Sequence, residues 1–355
     1  MSSRSLRVLV VGPSMDAQGG IATVIRQHFE CGLDKDLKLS CLVTTRGGSR
    51  VDKLICAIGA YLRFPMLAVT ADIVHIHSAL RGSFVRKYPL FLLSKLLRKK
   101  VVLHIHEGEF KEVFDKSSET EKKRIRKALA LSDRVVVLSS EWAECFENFF
   151  GIKDNVVVIP NAVPTGVGAI RDYEARNILF LGKLCDRKSP DVLLKAISQV
   201  RFPINDLVVH FVGNGDIAKY EALAAEIGVS DRCCFHGWKK GKDLEKIVLD
   251  CSIFCLPSKN EGMPMSLLEA MSRGLVPIST RVGGVPSVIK DGVNGCLIDV
   301  GDVDGLSACL DSLLNDSELR KRLGRLARNT IVEDYSMENQ KKLVRNLYFG
   351  ICNQR

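Results

Sequence analysis

The chain has 355 residues, 46% of them hydrophobic, and a formal net charge of +10. That length suits two domains and that apolar content supplies a core for each, which excludes a disordered chain. No run of about 18 apolar residues occurs, so no transmembrane helix is expected; the nearest approach, residues 54–71, is broken by Arg63 and Pro65.

Short apolar runs alternate with longer helical patterns. In the first half the strand candidates are 7–12 (RVLVVG), 72–77 (DIVHIH), 101–106 (VVLHIH), 134–139 (RVVVLS) and 156–161 (VVVIPN). The first of these is too short for a signal-peptide core. All are rich in Val and Ile and lack period-2 alternation, as strands buried on both faces of a parallel sheet do. Helical stretches such as 85–99 and 117–131 separate them, which predicts βαβ units. A loop rich in Pro and Gly at 161–176 interrupts the rhythm. It restarts at 177–183, 207–213, 233–237, 251–257, 275–280 and 295–300, and a last helical segment runs from about 337 to 349. The pattern is that of two Rossmann-like, doubly wound α/β domains facing across a cleft. Ligands of such sheets sit beyond the carboxyl ends of the strands.

The informative loops are therefore those that follow strands. After the first strand, Gly19 and Gly20 precede a helix starting near Ile21. Glycines admit a close backbone approach, and a helix N-terminus attracts anions. His104 and His106 close the 101–106 strand on one face. Together with Glu107 and Glu109 they fit no common zinc spacing, so no metal is expected. His104 reads as a core histidine; His106 suits a core role and a substrate contact equally. Lys183 and Lys188, with Arg187, lie in a loop before a helix that begins near Pro190. Two cations five apart suit a diphosphate, and they also suit an ordinary basic loop.

Residues 257–271 read PSKNEGMPMSLLEAM and hold Glu261 and Glu269 eight positions apart. Pro264 starts a helix running to about Arg273, and Gly274 is its C-terminal glycine. Free N–H groups near 263–267 can cradle phosphate. The helix dipole alone accounts for a carboxylate at Glu269. With a phosphate at the N-terminus, Glu269 would also lie level with a sugar attached to it. Glu261 lies on the other side, towards whatever the diphosphate carries at its far end.

EGMPMSLLE resembles the E-x7-E motif of retaining GT-B glycosyltransferases, in particular glycosyltransferase family 4 (glycosyl transferases group 1). GGIATVI, HIHEGEF, VIPNAV, FLGKLCDRKSPDVLLKA, FVGNGD and VGGVPSVIKDGVNGCLI resemble further motifs of that family, in order along nearly the whole chain. The resemblance implies a GT-B fold: an acceptor-side domain over 1–164 joined by a C-terminal helix at about 336–355, and a nucleotide-sugar domain over 165–335. It implies sugar transfer from a nucleoside diphosphate with retention and without metal or other cofactor, UDP-sugars being favoured over GDP-sugars. By carry-over, Lys183 and Lys188 neutralise the diphosphate, Glu269 binds ribose, Glu261 contacts the donor sugar and His106 sits beside it. Backbone at Gly262, Met263, Pro264, Met265, Ser266 and Leu267 meets sugar or phosphate. Gly19, Gly20, Asn161, Gly213 and Trp238 complete the substrate-binding set. Three positions depart from the family pattern: Lys183 stands for Arg, Ser189 for Gly and Ser287 for Glu.

The positive charge is local: residues 81–127 hold 14 basic and 6 acidic side chains. Mixed with Phe, Leu and Tyr, this stretch suits an anionic membrane surface. No helix-turn-helix, zinc-finger or RRM pattern points to nucleic acid. The expected partners are a nucleotide sugar and a saccharide or lipid-linked acceptor, in surface polysaccharide synthesis on the cytoplasmic side. The twelve scattered cysteines, with no CxxC pair, fit a reducing compartment. The alternatives are a nucleotide-sugar epimerase of the same fold, or a non-catalytic nucleotide-sugar-binding partner of another transferase.

Overall fold

A computed structural model describes residues 5–17, 19–30, 37–80, 82–108, 110–165, 172–201 and 207–353. Two units divide the chain, one of residues 1–161 with 337–355 and one of residues 162–336. In the first unit the order is β1 (Leu6–Pro13), α1 (Gly20–Glu30), β2 (Leu37–Thr45), α2 (Arg50–Thr70), β3 (Ile73–Ser78) and α3 (Gly82–Leu96). Then come β4 (Lys100–Ile105), α4 (Phe110–Asp115), α5 (Glu119–Leu131), β5 (Arg134–Val137), α6 (Ser140–Phe150) and β6 (Val156–Val158). The sheet order is β2-β1-β3-β4-β5-β6, with every pairing parallel.

The second unit repeats the scheme: β7 (Asn177–Leu181), α7 (Pro190–Gln199), β8 (Val209–Val212), α8 (Ile217–Glu226), β9 (Cys233–Gly237), α9 (Gly241–Leu249) and β10 (Cys251–Leu256). It continues with α10 (Met265–Ser272), β11 (Val276–Thr280), α11 (Val285–Val288), β12 (Cys296–Ile298), α12 (Val303–Asn315) and α13 (Ser317–Asp334). Its parallel sheet runs β12-β11-β10-β7-β8-β9. The last helix, α14 (Met337–Asn353), belongs to the first unit. There Val344, Tyr348 and Ile351 pack with Val8, Val10, Ile73 and Val102 on one face of the sheet.

Two elements differ from the sequence expectation. β2 has no counterpart among the expected strands. It is an edge strand of mixed exposure, so its residues lack the continuous apolar run of the inner strands. Residues 54–71, expected to fall short of a membrane-length apolar helix because of Arg63 and Pro65, lie almost wholly in one helix, α2, whose Val51–Thr70 stretch is long and apolar enough by length and composition to cross a membrane. Pro65, which has no N–H to donate, is exposed, as is Tyr61 one turn before it.

The α14 face of the first sheet also carries a layer of imidazoles. Parallel register places His77 beside His104, and side-chain alternation brings His75 to the same face. The His75–His77 rings stack at 4.2 Å and the His104–His106 rings at 4.1 Å, while His28 of α1 lies 5.4 Å from His77. Tyr348 is hydrogen-bonded to His75 Nδ1 at 2.6 Å. Burial holds all five imidazoles neutral, with His28 lowered to about 4 and His106 to about 3. An unfolded histidine titrates near 6.5, so below that pH the unfolded chain binds protons that the folded chain refuses. Stability is thus complete above about pH 6.5 and falls by about 1.4 kcal/mol per pH unit for each such histidine as pH drops towards the folded values. Thermal melts should show Tm falling steeply below about pH 6.5, and His104→Leu should flatten that slope. A Tm that does not change on acidification would contradict this description of the layer.

Candidate functional site

In the second unit, the loops after β7 and β10 meet at one carboxylate, and the loops after β11 and β8 pack against their backbones. β10 is buried throughout, and the chain leaves it through a loop in which Glu261 is 5% exposed. Lys188, 9% exposed, donates from Nζ to Glu261 Oε1. Arg187 Nη1 lies 3.4 Å from Glu261 Oε2 and donates to the Asn260 carbonyl at 2.8 Å. The Lys259 amide donates to the Arg187 carbonyl at 2.8 Å, so main chain also ties the β7 loop to the β10 loop. Two further loops close in through glycine. Gly283 has φ 51°, and a Cβ there would overlap the Glu261 carbonyl oxygen. Its neighbour Gly284 donates to the Gly262 carbonyl at 2.7 Å. Gly213, φ 152°, brings the β8 loop so close that a Cβ would overlap the Gly182 carbonyl oxygen.

α10 begins behind Pro264 with no capping side chain. The Met265 and Ser266 amides at its start are therefore free of side-chain competition for an anion. Met263 and Leu267 are buried and fix the start of the helix, while Gly262, Met265 and Ser266 are half-buried. Glu269 lies one turn on, half-buried, with its carbonyl accepting from Arg273 Nη1 at 3.1 Å. Arg273 is in turn paired with Glu245 at 3.0 Å. Lys183 is exposed beyond β7, and Trp238, 45% exposed beyond β9, carries Lys240 Nζ at 5.6 Å from its ring centroid.

The departures from the family pattern have local consequences. Ser189 adopts φ 49°, left-handed backbone that glycine accepts freely and that costs other residues about 1 kcal/mol or more. Ser287 Oγ turns back to the Gly284 carbonyl at 2.7 Å, and the Ser287 carbonyl accepts from the Tyr335 hydroxyl at 2.8 Å. Its hydroxyl is thus engaged within the first turn of α11.

The first unit holds the remaining candidates. His106 follows β4; its Nε2 is 2.9 Å from His77 Nδ1 and its amide donates to the Ser78 carbonyl. Burial, then the charges of His28 and Lys87, push it down to about 3. His104 is buried, yet neither ring nitrogen has a hydrogen-bond partner among the described residues. Gly19 and Gly20 lie exposed at the start of α1, and Asn161 is buried at the end of this stretch. Glu109 lies outside the described residues. Among the described residues, three sets of side chains have donor atoms within 4.8 Å of one another and could hold a metal ion: His28 with His75 and His77; His77 with His104 and His106; and, in the second unit, His210 with Cys234 and His236.

Lys87 corrects the reading of 81–127 as one exposed basic face. It is 3% exposed, bonded to Ser83 Oγ at 2.8 Å, and burial with Arg86 lowers it to about 7. The helical phase contains the signal, because Lys87 falls on the buried stripe of Phe84, Leu90, Phe91 and Ser94. Lys95 and Lys100 are likewise engaged, both with Asp133, at 2.8 and 3.2 Å.

Residues 171–330 match the family model of glycosyl transferases group 1, and residues 46–167 match that of glycosyltransferase family 4. The chain belongs to glycosyltransferase family 4. Among curated members, the Escherichia coli UDP-Gal:alpha-D-GlcNAc-diphosphoundecaprenol alpha-1,3-galactosyltransferase is 26% identical over 79% of this chain and 76% of its own. The Rhizobium meliloti lipopolysaccharide core biosynthesis glycosyltransferase LpsE is 28% identical over 53% of this chain and 56% of its own. The family 4 chain thus spans about half the length of the first curated relatives it matches. Sucrose-phosphate synthase from Thermosynechococcus elongatus superposes with a TM-score of 0.83 at 16% identity, over 99% of this chain and 100% of that one. Anabaena HepE, solved in complex with UDP, superposes at 0.78 and 14% identity, over 97% and 100%. These neighbours share the GT-B fold of two Rossmann-like domains.

Removing Glu261 strands the Lys188 ammonium in a site closed to solvent, which costs about 3–5 kcal/mol. Urea denaturation should show that loss for Glu261→Ala, with most of it recovered by adding Lys188→Met. Equal stability of Glu261→Ala and the wild type would contradict a buried, mutually dependent pair.

Proposed function

We propose that the protein is a retaining glycosyltransferase that needs no metal. It moves a sugar from a nucleoside diphosphate, UDP in preference to GDP, to a saccharide or lipid-linked saccharide during surface polysaccharide synthesis. The observation that carries this reading is the buried Glu261–Lys188 pair beside the uncapped start of α10. Anion-seeking amides, a cation and a hydroxyl-seeking carboxylate meet within one loop cluster.

In this reading the diphosphate takes the α10 amides together with Lys183 and Lys188. Lys188 thereby exchanges a carboxylate for phosphate oxygens, and Glu261 turns to the donor sugar's hydroxyls. Cations and helix amides stabilise the negative charge that grows on the leaving phosphate. Glu269 grips the ribose, with Gly213 and Trp238 on the nucleotide side and Asn161, Gly19 and Gly20 towards the acceptor. His106, held neutral, offers the sugar a hydrogen bond without adding a second positive charge. The leaving phosphate itself takes the acceptor's proton, so no protein general base is assigned. HepE has been solved with UDP and with UDP-glucose, and the E. coli relative is named for UDP-Gal and a diphosphoundecaprenol acceptor. These support a nucleotide-sugar donor and a membrane-side acceptor.

The test is a panel of nucleotide sugars with purified protein and a bacterial lipid extract, scored for release of nucleoside diphosphate. Release from a UDP-sugar, unchanged by EDTA, is expected. Release from none of the donors, or loss on chelation restored by a divalent cation, would overturn the corresponding part of the reading.

A further inference from the structure

The cations of 81–127 do not form one docking face: Lys87 is buried, Lys95 and Lys100 are held by Asp133, and Arg126 lies over the Phe114 ring. An unpartnered surface lies one helix earlier. α2 buries Ala60, Phe64 and Ala68 within the first unit. On its other side Leu54, Ile55, Ile58, Leu62, Met66 and Val69 are each 50–77% exposed. At about 100° per residue these positions form one stripe opposite the buried face. The stretch Val51–Thr70 has a mean hydropathy of 1.4, enough in length and composition to cross a membrane, yet only 17% of it is buried. Because its inner face is packed into the unit, it can lie along an interface but cannot span one while folded. α3, tied to α2 by the Tyr61 hydroxyl donating to the Arg86 carbonyl, adds exposed Leu92 and Leu96.

Charge selects the occupant. Residues 46–100 contain eleven Lys and Arg against two Asp and Glu. Lys53, Arg63, Arg86 and Arg98 are exposed. Between α2 and β2 a groove of about 500 Å³ is lined by Arg46, Arg63, Ile55 and Cys56, with Asp52. Two copies meeting through this surface would oppose like charges, whereas anionic headgroups satisfy them and the acyl boundary takes the stripe.

We propose that the outer face of α2, with the adjoining end of α3, is the docking surface for an anionic lipid bilayer. The stripe enters the headgroup–acyl boundary, and the flanking cations meet headgroup phosphates. The assignment rests on the membrane-side acceptor reading above and adds which helix makes the contact.

The experiment is flotation of purified protein with phosphatidylglycerol-rich vesicles and with phosphatidylcholine vesicles, alongside sedimentation without lipid. Wild type should float with the anionic vesicles, at least about tenfold better than with neutral ones, and less well in high salt. The double variant Leu62→Glu/Met66→Glu should lose at least about tenfold of that binding with an unchanged melting curve, since both side chains are already solvated. Flotation reads binding without turnover, so it stands or falls apart from the transfer reaction. Wild type failing to float would overturn both the proposal and the membrane-side reading. Undiminished flotation of the variant would overturn the α2 assignment alone. A lipid-free dimer that the variant dissolves would assign the face to a second copy instead.

Discussion

Glu261 and Lys188 neutralise one another where neither is solvated, and that constraint organises the second unit. A carboxylate or an ammonium alone there would cost several kcal/mol, so each must have a partner at every stage. Without ligand they have each other. The elements around them are arranged to bring these two groups, 73 residues apart in sequence, to one point. β7 and β10 are adjacent parallel strands, so their carboxyl-end loops emerge side by side. Gly283 presses the β11 loop onto the Glu261 backbone at a distance no other residue permits. In the proposed function the substrate does not enter an open charge pair; it replaces one partner by another, phosphate for carboxylate at Lys188 and hydroxyl for ammonium at Glu261.

The first unit solves a different problem, with neutral groups. Its sheet carries His75, His77 and His104 inward, and α1 and α14 cover them with His28 and Tyr348. Burial keeps these imidazoles uncharged, which makes the layer tolerable near neutral pH and a liability in acid. His106, at the end of the layer, passes that neutrality to the carboxyl edge of the sheet. Lys87 is the only buried lysine of this unit among the described residues, and its amine is bonded to Ser83.

Much of this was legible in the chain. The inner strands announce themselves as Val/Ile runs because both their faces are buried, and Pro190 and Gly274 mark helix ends for local steric reasons. The resemblance in 257–271 singled out Glu261 and Glu269 from residue types alone. What stayed hidden is non-local. No spacing reports that Lys188 and Glu261 touch, or that β3–β4 register merges two His-x-His pairs into one layer. β2, at the edge of its sheet and of mixed exposure, carries no apolar run to mark it. Arg63 and Pro65 interrupt the apolar run of 54–71 as written, yet one helix of mean hydropathy 1.4 passes through both, because a single charge and a single proline leave the average over 20 residues apolar. A charge tally over 81–127 places Lys87 at the surface because a tally ignores helical phase.

In the proposed function the two glutamates divide the donor between them, and calorimetric titration of UDP into Glu261→Gln and Glu269→Gln tests that division most directly. Glu269→Gln should weaken UDP by about tenfold or more, the worth of a charge-assisted hydrogen bond. Glu261→Gln should bind UDP as tightly as wild type or tighter, with Lys188 released to the phosphates, while transfer is lost. UDP affinity unchanged in Glu269→Gln, or abolished in Glu261→Gln, would contradict the assignment of ribose to one carboxylate and donor sugar to the other.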